Sequence, residues 1–234
     1  SCVNSITVLH SAPATAKLFN KAKELLSSIS EEELSIKLDC LELEEGRKQT
    51  LIKTVTGEVD IDFYDKLNIF LYAIKNLFRD EFESLGAGKH LYSSCELYEF
   101  DPSKNGQNLI KHGISFGEVV SYSRKFGALM VPCPDKNDLE RVVIFSDLAN
   151  LADGHHLKLP LNPNVQSDCY IISIVHTRKM KFRFISSRVM SKTKHRKTLK
   201  NALKDIYPED PEKKREFIDR CIAILNDNLL ESHA

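Results

Sequence analysis

The chain lacks most of the features that would identify it quickly. No apolar run among its 234 residues approaches the roughly 20 needed to span a bilayer, so no membrane partner is expected. The opening "SCVNSITVLHSAPATAKLF" has neither a basic start nor a long apolar block, which argues against a secretory leader and for a cytoplasmic protein. There is no CxxC pair. Cys2, Cys40, Cys95, Cys133, Cys169 and Cys221 are scattered, which speaks against both zinc ligation and a disulfide framework and for reduced thiols. There is no Walker A loop, no GxGxxG and no internal repeat, and no motif marks a Cys–His nucleophile. Asp153, His155 and His156 lie together, but adjacent histidines seldom point at one ion and no matching cluster follows. No metal and no cofactor are therefore expected.

Acidic residues are missing from one long span. Between Cys169 and Lys204 there is none, while eleven cations occur: Arg178, Lys179, Lys181, Arg183, Arg188, Lys192, Lys194, Arg196, Lys197, Lys200 and Lys204. The net charge of zero conceals this. Residues 1–90 carry 11 Lys and Arg against 15 Asp and Glu, residues 91–207 carry 18 against 11, and residues 208–234 carry 4 against 7. A basic middle between acidic flanks points to an anionic partner. The alternatives are a solvated basic surface or pairing with the acidic flanks of the same chain.

The hydrophobic pattern divides the chain into three segments: an acidic N-terminal domain over 1–88, a basic domain over 89–207 and an amphipathic C-terminal helix over 208–234. In the first, "SITVLH" reads as a strand and "PATAKLFNKAKELLSSI" as a helix with Ala16, Phe19, Ala22 and Leu26 on one face. "ELSIKLDCLELE" alternates at Leu34, Ile36, Leu38 and Cys40 and is expected to be a strand. "TLIKTVTGEVDIDF" is expected to be a hairpin turning at Gly57. "FYDKLNIFLYAIKNLFRDEFESL" is an apolar helix ending at "GAG". This domain is thus expected to be α/β or α+β.

The second segment reads β-α-α-β-β-β-β-α. After "LYSSCELYEF", Asp101 is placed to cap a helix, Pro102 suits its first turn and Gly113 ends it. Ser115 and Glu118 have capping-box spacing for the next helix. "ALMVPC", "ERVVIFSDL", "CYIISIVHT" and "KFRFISSRV" are strands, the last two joined by a tight basic turn. A helix over about 191–206 follows. The fold class is α+β, with helices packed on an antiparallel sheet. In the closing helix Phe217, Cys221, Ile224, Leu225 and Leu229 recur at helical spacing.

Alternation in "KFRFI" puts Lys181 and Arg183 on one face of their strand and Phe182 and Phe184 on the other. A basic strand followed by a basic helix suits phosphates. Metal-free RNA cleavage needs one group to take the 2′-hydroxyl proton, another to protonate the leaving oxygen, and fixed cations at the phosphorus. Lys111, His112, Glu140, Arg141, His176, Arg178, Arg183 and Arg188 supply the residue types. Each also has a structural reading: Lys111 complements a helix dipole, and His112 can cap carbonyls.

Four phrases in order resemble the BrnT family of ribonuclease toxins from toxin–antitoxin pairs. They are "YEFDPSKNGQNLIKHGISFGE", "ERVVIF", "VHT" and "KFRFISSR". The resemblance spans about 98–200. It implies a fold akin to the RelE-like toxins, metal-independent endoribonuclease (hydrolase) activity on RNA, and a partner in the form of an antitoxin or other acidic protein. It places Lys111, His112, Glu140, His176 and Arg188 in the catalytic centre. The expected nucleic-acid ligands are Arg141, Arg178, Lys181, Arg183, Lys192 and Arg196. A binding module on the same fold, without chemistry, is the alternative.

Overall fold

The computed structural model describes residues 12–85, 93–95, 97–126, 128–133, 140–147, 161, 170–178 and 180–231, a few of them by backbone alone. The class is α+β. The expected strand over 5–10 and the loop holding Asp153, His155 and His156 lie outside the described residues, as does the "GAG" at 86–88. The chain forms two compact units, one of residues 2–116 with 159–162 and one of residues 117–158 with 163–234.

The described part of the first unit is helical up to residue 85. α1 spans Ala12–Ser27, α2 Glu31–Leu38, α3 Glu45–Thr56, α4 Phe63–Leu77 and α5 Arg79–Ser84. The strand expected at 33–44 is instead α2 running into a short 3-10 turn over Asp39–Leu41. Ser30 accepts the N–H of Glu33, three glutamates fill the first turn, and both favour a helix start. The buried residues are Leu34 and Leu38, one helical turn apart, while Ile36 is 70 % exposed. Period four wins over period two.

The first arm of the hairpin expected at 50–63 is instead the end of α3, and residues 57–62 connect it to α4. Gly57 is the end of α3 rather than a strand turn: at φ 90° it lets the N–H groups of Gly57 and Glu58 both reach the carbonyl of Lys53. The β-branched threonines of this stretch are accommodated in the helix by their hydroxyls. Thr50 donates to the carbonyl of Gly46, and Thr54 to that of Thr50. The long apolar helix is interrupted at Phe78, whose φ of −136° leaves helical geometry. Phe78 and Phe82 then both join the core. All residues from Leu67 to Ile74 are buried, so α4 is the axis of this unit.

A hairpin of β1, Ser93–Cys95, and β2, Tyr98–Phe100, leads into α6, Pro102–His112. The cap is as the sequence implies. One carboxylate oxygen of Asp101 accepts from the N–H groups of Ser103 and Lys104 at 2.8 and 3.3 Å and from the Ser103 hydroxyl at 2.8 Å. Gly113 closes the helix at φ 71°. Gly106 is required by packing. A Cβ there would lie 2.0 Å from the carbonyl oxygen of Asn68 on α4, so the two helices meet backbone to backbone.

The second unit begins with α7, Phe116–Phe126, whose first residue is assigned to the first unit. It continues with β3 Leu129–Pro132, β4 Arg141–Asp147, β5 Tyr170–Arg178 and β6 Lys181–Met190. α8, Lys192–Ala202, and α9, Pro211–Glu231, complete it. These four strands run antiparallel in the order β6-β5-β4-β3. Val131, Val143, Phe145 and Ile172 on one face pack with Leu199 and Leu203 after the sheet and with Ile218 and Cys221 of α9. The opposite face is buried too, at Ile144, Ile171, Val175 and Phe184, with a hydroxyl pair between Ser173 and Ser187 at 2.8 Å.

Candidate functional site

The register of the sheet decides which predicted residues meet. Arg141 on β4 pairs with His176 on β5, and His176 pairs with Arg183 on β6. Directly paired residues share a face. The two arginines therefore flank His176 in one cross-strand row, about 5 Å from each neighbour at the backbone. All three side chains are half-buried. Glu140, just before β4, completes the group: its Oε2 lies 3.4 Å from Nδ1 of His176. Its backbone carbonyl is held as well, accepting the N–H of Thr177 at 2.8 Å and the Thr177 hydroxyl at 3.0 Å. The carboxylate end is 66 % exposed and the imidazole 28 %, so the pair opens to solvent from a fixed base.

The same face continues in both directions. The next residues on it towards the β5–β6 turn are Arg178 and Lys181, which pair with each other. Away from the turn lies Arg188, exposed and opposite Ile172. Strict alternation would put Arg183 and Arg188 on opposite faces, because five residues separate them. A bulge corrects this. Ile174 pairs with Ser186 and Val175 with Phe184, so Ile185 has no partner and the face of β6 shifts by one. Lys181 and Arg183 share a face while Phe184 is buried on the other, as the alternation predicts.

The remaining predicted residues lie on helices rather than on strands. Lys111 and His112 are the last turn of α6 in the first unit, Lys111 exposed and His112 half-buried. Their position suits the negative end of the helix. The phrase before them is used for structure. The N–H of Phe116 donates to Asn105 Oδ1 at 2.7 Å, Asn108 donates to the carbonyl of Ile114 at 2.8 Å, and the Phe100 ring meets Phe116 edge-on at 5.6 Å. Arg196 lies half-buried on α8 beside exposed Lys194, Lys197 and Lys200, and Lys192 opens that helix. His195, between Lys194 and Arg196, is buried and meets the Phe145 ring edge-on at 5.3 Å. Burial pulls its pKa down to about 4, the Arg196 charge adds to this, and a hydrogen bond with the backbone of Ile171 opposes it. It is a neutral core imidazole.

Sequence reasoning placed Met180 in the tight turn but gave it no functional role. It forms the β5–β6 turn, at φ 66° and 92 % exposed. Among the described residues no group of three or more His, Cys, Asp or Glu is arranged to hold a metal, and no helix is long and apolar enough to cross a membrane. No family model, no curated protein and no solved structure matches the chain.

Proposed function

We propose that the chain is a BrnT-like, metal-independent endoribonuclease whose centre is the row Arg141–His176–Arg183 with Glu140. The observation that carries this reading is the Glu140–His176 contact at 3.4 Å between two guanidinium-bearing positions. Such a group contains every part that transesterification of RNA requires. Glu140 accepts the 2′-hydroxyl proton as O2′ bonds to phosphorus. The P–O5′ bond breaks, and protonated His176 delivers its proton to O5′. The products are a 2′,3′-cyclic phosphate and a 5′-hydroxyl end. Proton return from Glu140 to His176 across their contact resets the pair. Arg141 and Arg183 hold the equatorial oxygens, with Arg188, Arg178 and Lys181 along the strand for neighbouring phosphates. A partner that restrains the enzyme would be an acidic protein, an antitoxin in the toxin–antitoxin sense, covering this face.

The test is cleavage of a labelled RNA by the full chain in chelator. Wild type is expected to cut. His176→Ala is expected to lose about 10²- to 10⁴-fold in rate, the usual worth of a proton-transfer group. Arg188→Ala is also expected to be impaired. Uncut RNA with wild type, or cutting that chelator abolishes, would sink the proposal. A second reading is favoured by α8, whose exposed Lys194, Lys197 and Lys200 have no carboxylate on their helix. They suit a module that binds nucleic acid without cutting it. Salt-sensitive binding with intact RNA is its signature.

A further inference from the structure

Met180 is the most exposed large apolar side chain among the described residues, and it stands at the tip of the hairpin that carries His176 and Arg183. Tight turns ordinarily place Gly, Asn or Asp at positive φ. Here a methionine occupies φ 66° with 92 % of its surface in water, in the sequence Arg178-Lys179-Met180-Lys181. Neither local conformation nor packing accounts for that choice. The pairs outward from the row are Thr177 with Phe182 and then Arg178 with Lys181, so Met180 lies about 10 Å beyond the row at strand rise. A thioether makes favourable contacts with aromatic faces, and every unpaired base offers one. In a duplex those faces are stacked away.

We infer that Met180 is a base-stacking tip: it packs against an unpaired base next to the phosphate held by Arg141 and Arg183, and so selects single-stranded RNA. This rests on the proposed phosphate-binding row and goes beyond it, because the row itself reads only charge. Lys181 beside the turn supplies a cation for the backbone and Met180 a polarizable group for a base; sequence-tolerant single-strand binders likewise pair a positive groove with stacking side chains, there aromatic ones. Met180 makes no proton transfer and is a specificity residue.

The experiment uses the full chain, with Met180→Ala and Arg183→Gln as variants, and measures binding by competition. The probes are a mixed-sequence single-stranded RNA, the same RNA in a duplex, and inorganic polyphosphate, which has charge but no bases. Wild type is expected to prefer the single strand to the duplex. Met180→Ala should weaken single-strand binding roughly three- to tenfold, the scale of a sulfur–aromatic contact, and leave polyphosphate and duplex unchanged. Arg183→Gln should weaken all three. The side chain is so exposed that its truncation leaves the core intact. Unchanged single-strand binding by Met180→Ala, or an equal loss on all probes, would overturn the stacking role while the phosphate row stands. Failure of wild type to bind polyphosphate and RNA alike would overturn both.

Discussion

His195 makes the chain acid-labile in a way that can be isolated from everything else. In the folded protein its pKa is about 4, mainly because burial beside Phe145 disfavours the imidazolium. In the unfolded chain an ordinary histidine titrates near 6.5. Above that value both states are neutral there, and His195 contributes no pH dependence. As pH falls from about 6.5 to about 4, the unfolded chain takes up a proton that the folded one refuses, so stability is lost through this window. From pH 7.5 to pH 5.0 the loss works out at ~2 kcal/mol for the single site. The assay is equilibrium urea unfolding at both pH values for wild type and His195→Gln, which cannot titrate. Titration of all other groups is common to both chains and cancels in the difference. The variant is expected to be less stable at pH 7.5, having lost the fit against Phe145, but its stability should fall by ~2 kcal/mol less between the two pH values. Parallel pH profiles would refute the buried, neutral imidazole.

Two further predictions concern α6. Gly106→Ala forces a methyl to within 2.0 Å of the Asn68 carbonyl, so α6 must move from α4. Overpacking of about 1–3 kcal/mol or more should outweigh the roughly 1 kcal/mol that alanine gains in helix propensity, and a lowered urea midpoint checks it. An unchanged or raised midpoint would mean that the helices are not in contact there. Asp101→Ala removes the acceptor for two N–H groups and one hydroxyl and should cost about 1–2 kcal/mol, read as faster amide exchange at Ser103 and Lys104. Equal exchange in the two chains would deny the cap.

The sequence made α6 legible because its ends are written in residues with strong local chemistry: Asp101 and Pro102 at the start, Gly113 at positive φ at the end. The strands β3 to β6 were legible from β-branched runs. α2 and α3 were not, because a short apolar stretch satisfies both periods. Only burial separates Leu34 and Leu38 from the exposed Ile36 between them. The threonines of α3 carry strand propensity that local hydroxyl bonds neutralise. The site had the opposite problem. Its residue types were visible, but their assembly depends on pairing register, and no local signal marks Ile185 as the bulged residue that returns Arg188 to the face of Arg183.

These two kinds of legibility bear on how far a motif carries. The phrase "FDPSKNGQNLIKHG" drew attention to Lys111 and His112, yet nearly every residue in it has a packing or capping task. Asp101 caps, Gly106 admits α4, Asn105 and Asn108 tie down the turn to Phe116, and Gly113 ends the helix. Such a phrase constrains the fold and is silent on chemistry. The row on β4 to β6 has the reverse character. Neither His176 nor Arg183 belongs to the buried apolar set of either sheet face. A chain could keep the phrase and lose the row. That this one has a carboxylate against the histidine, flanked by arginines at paired positions, with a bulge returning Arg188 to their face, is what directs the functional reading to the sheet.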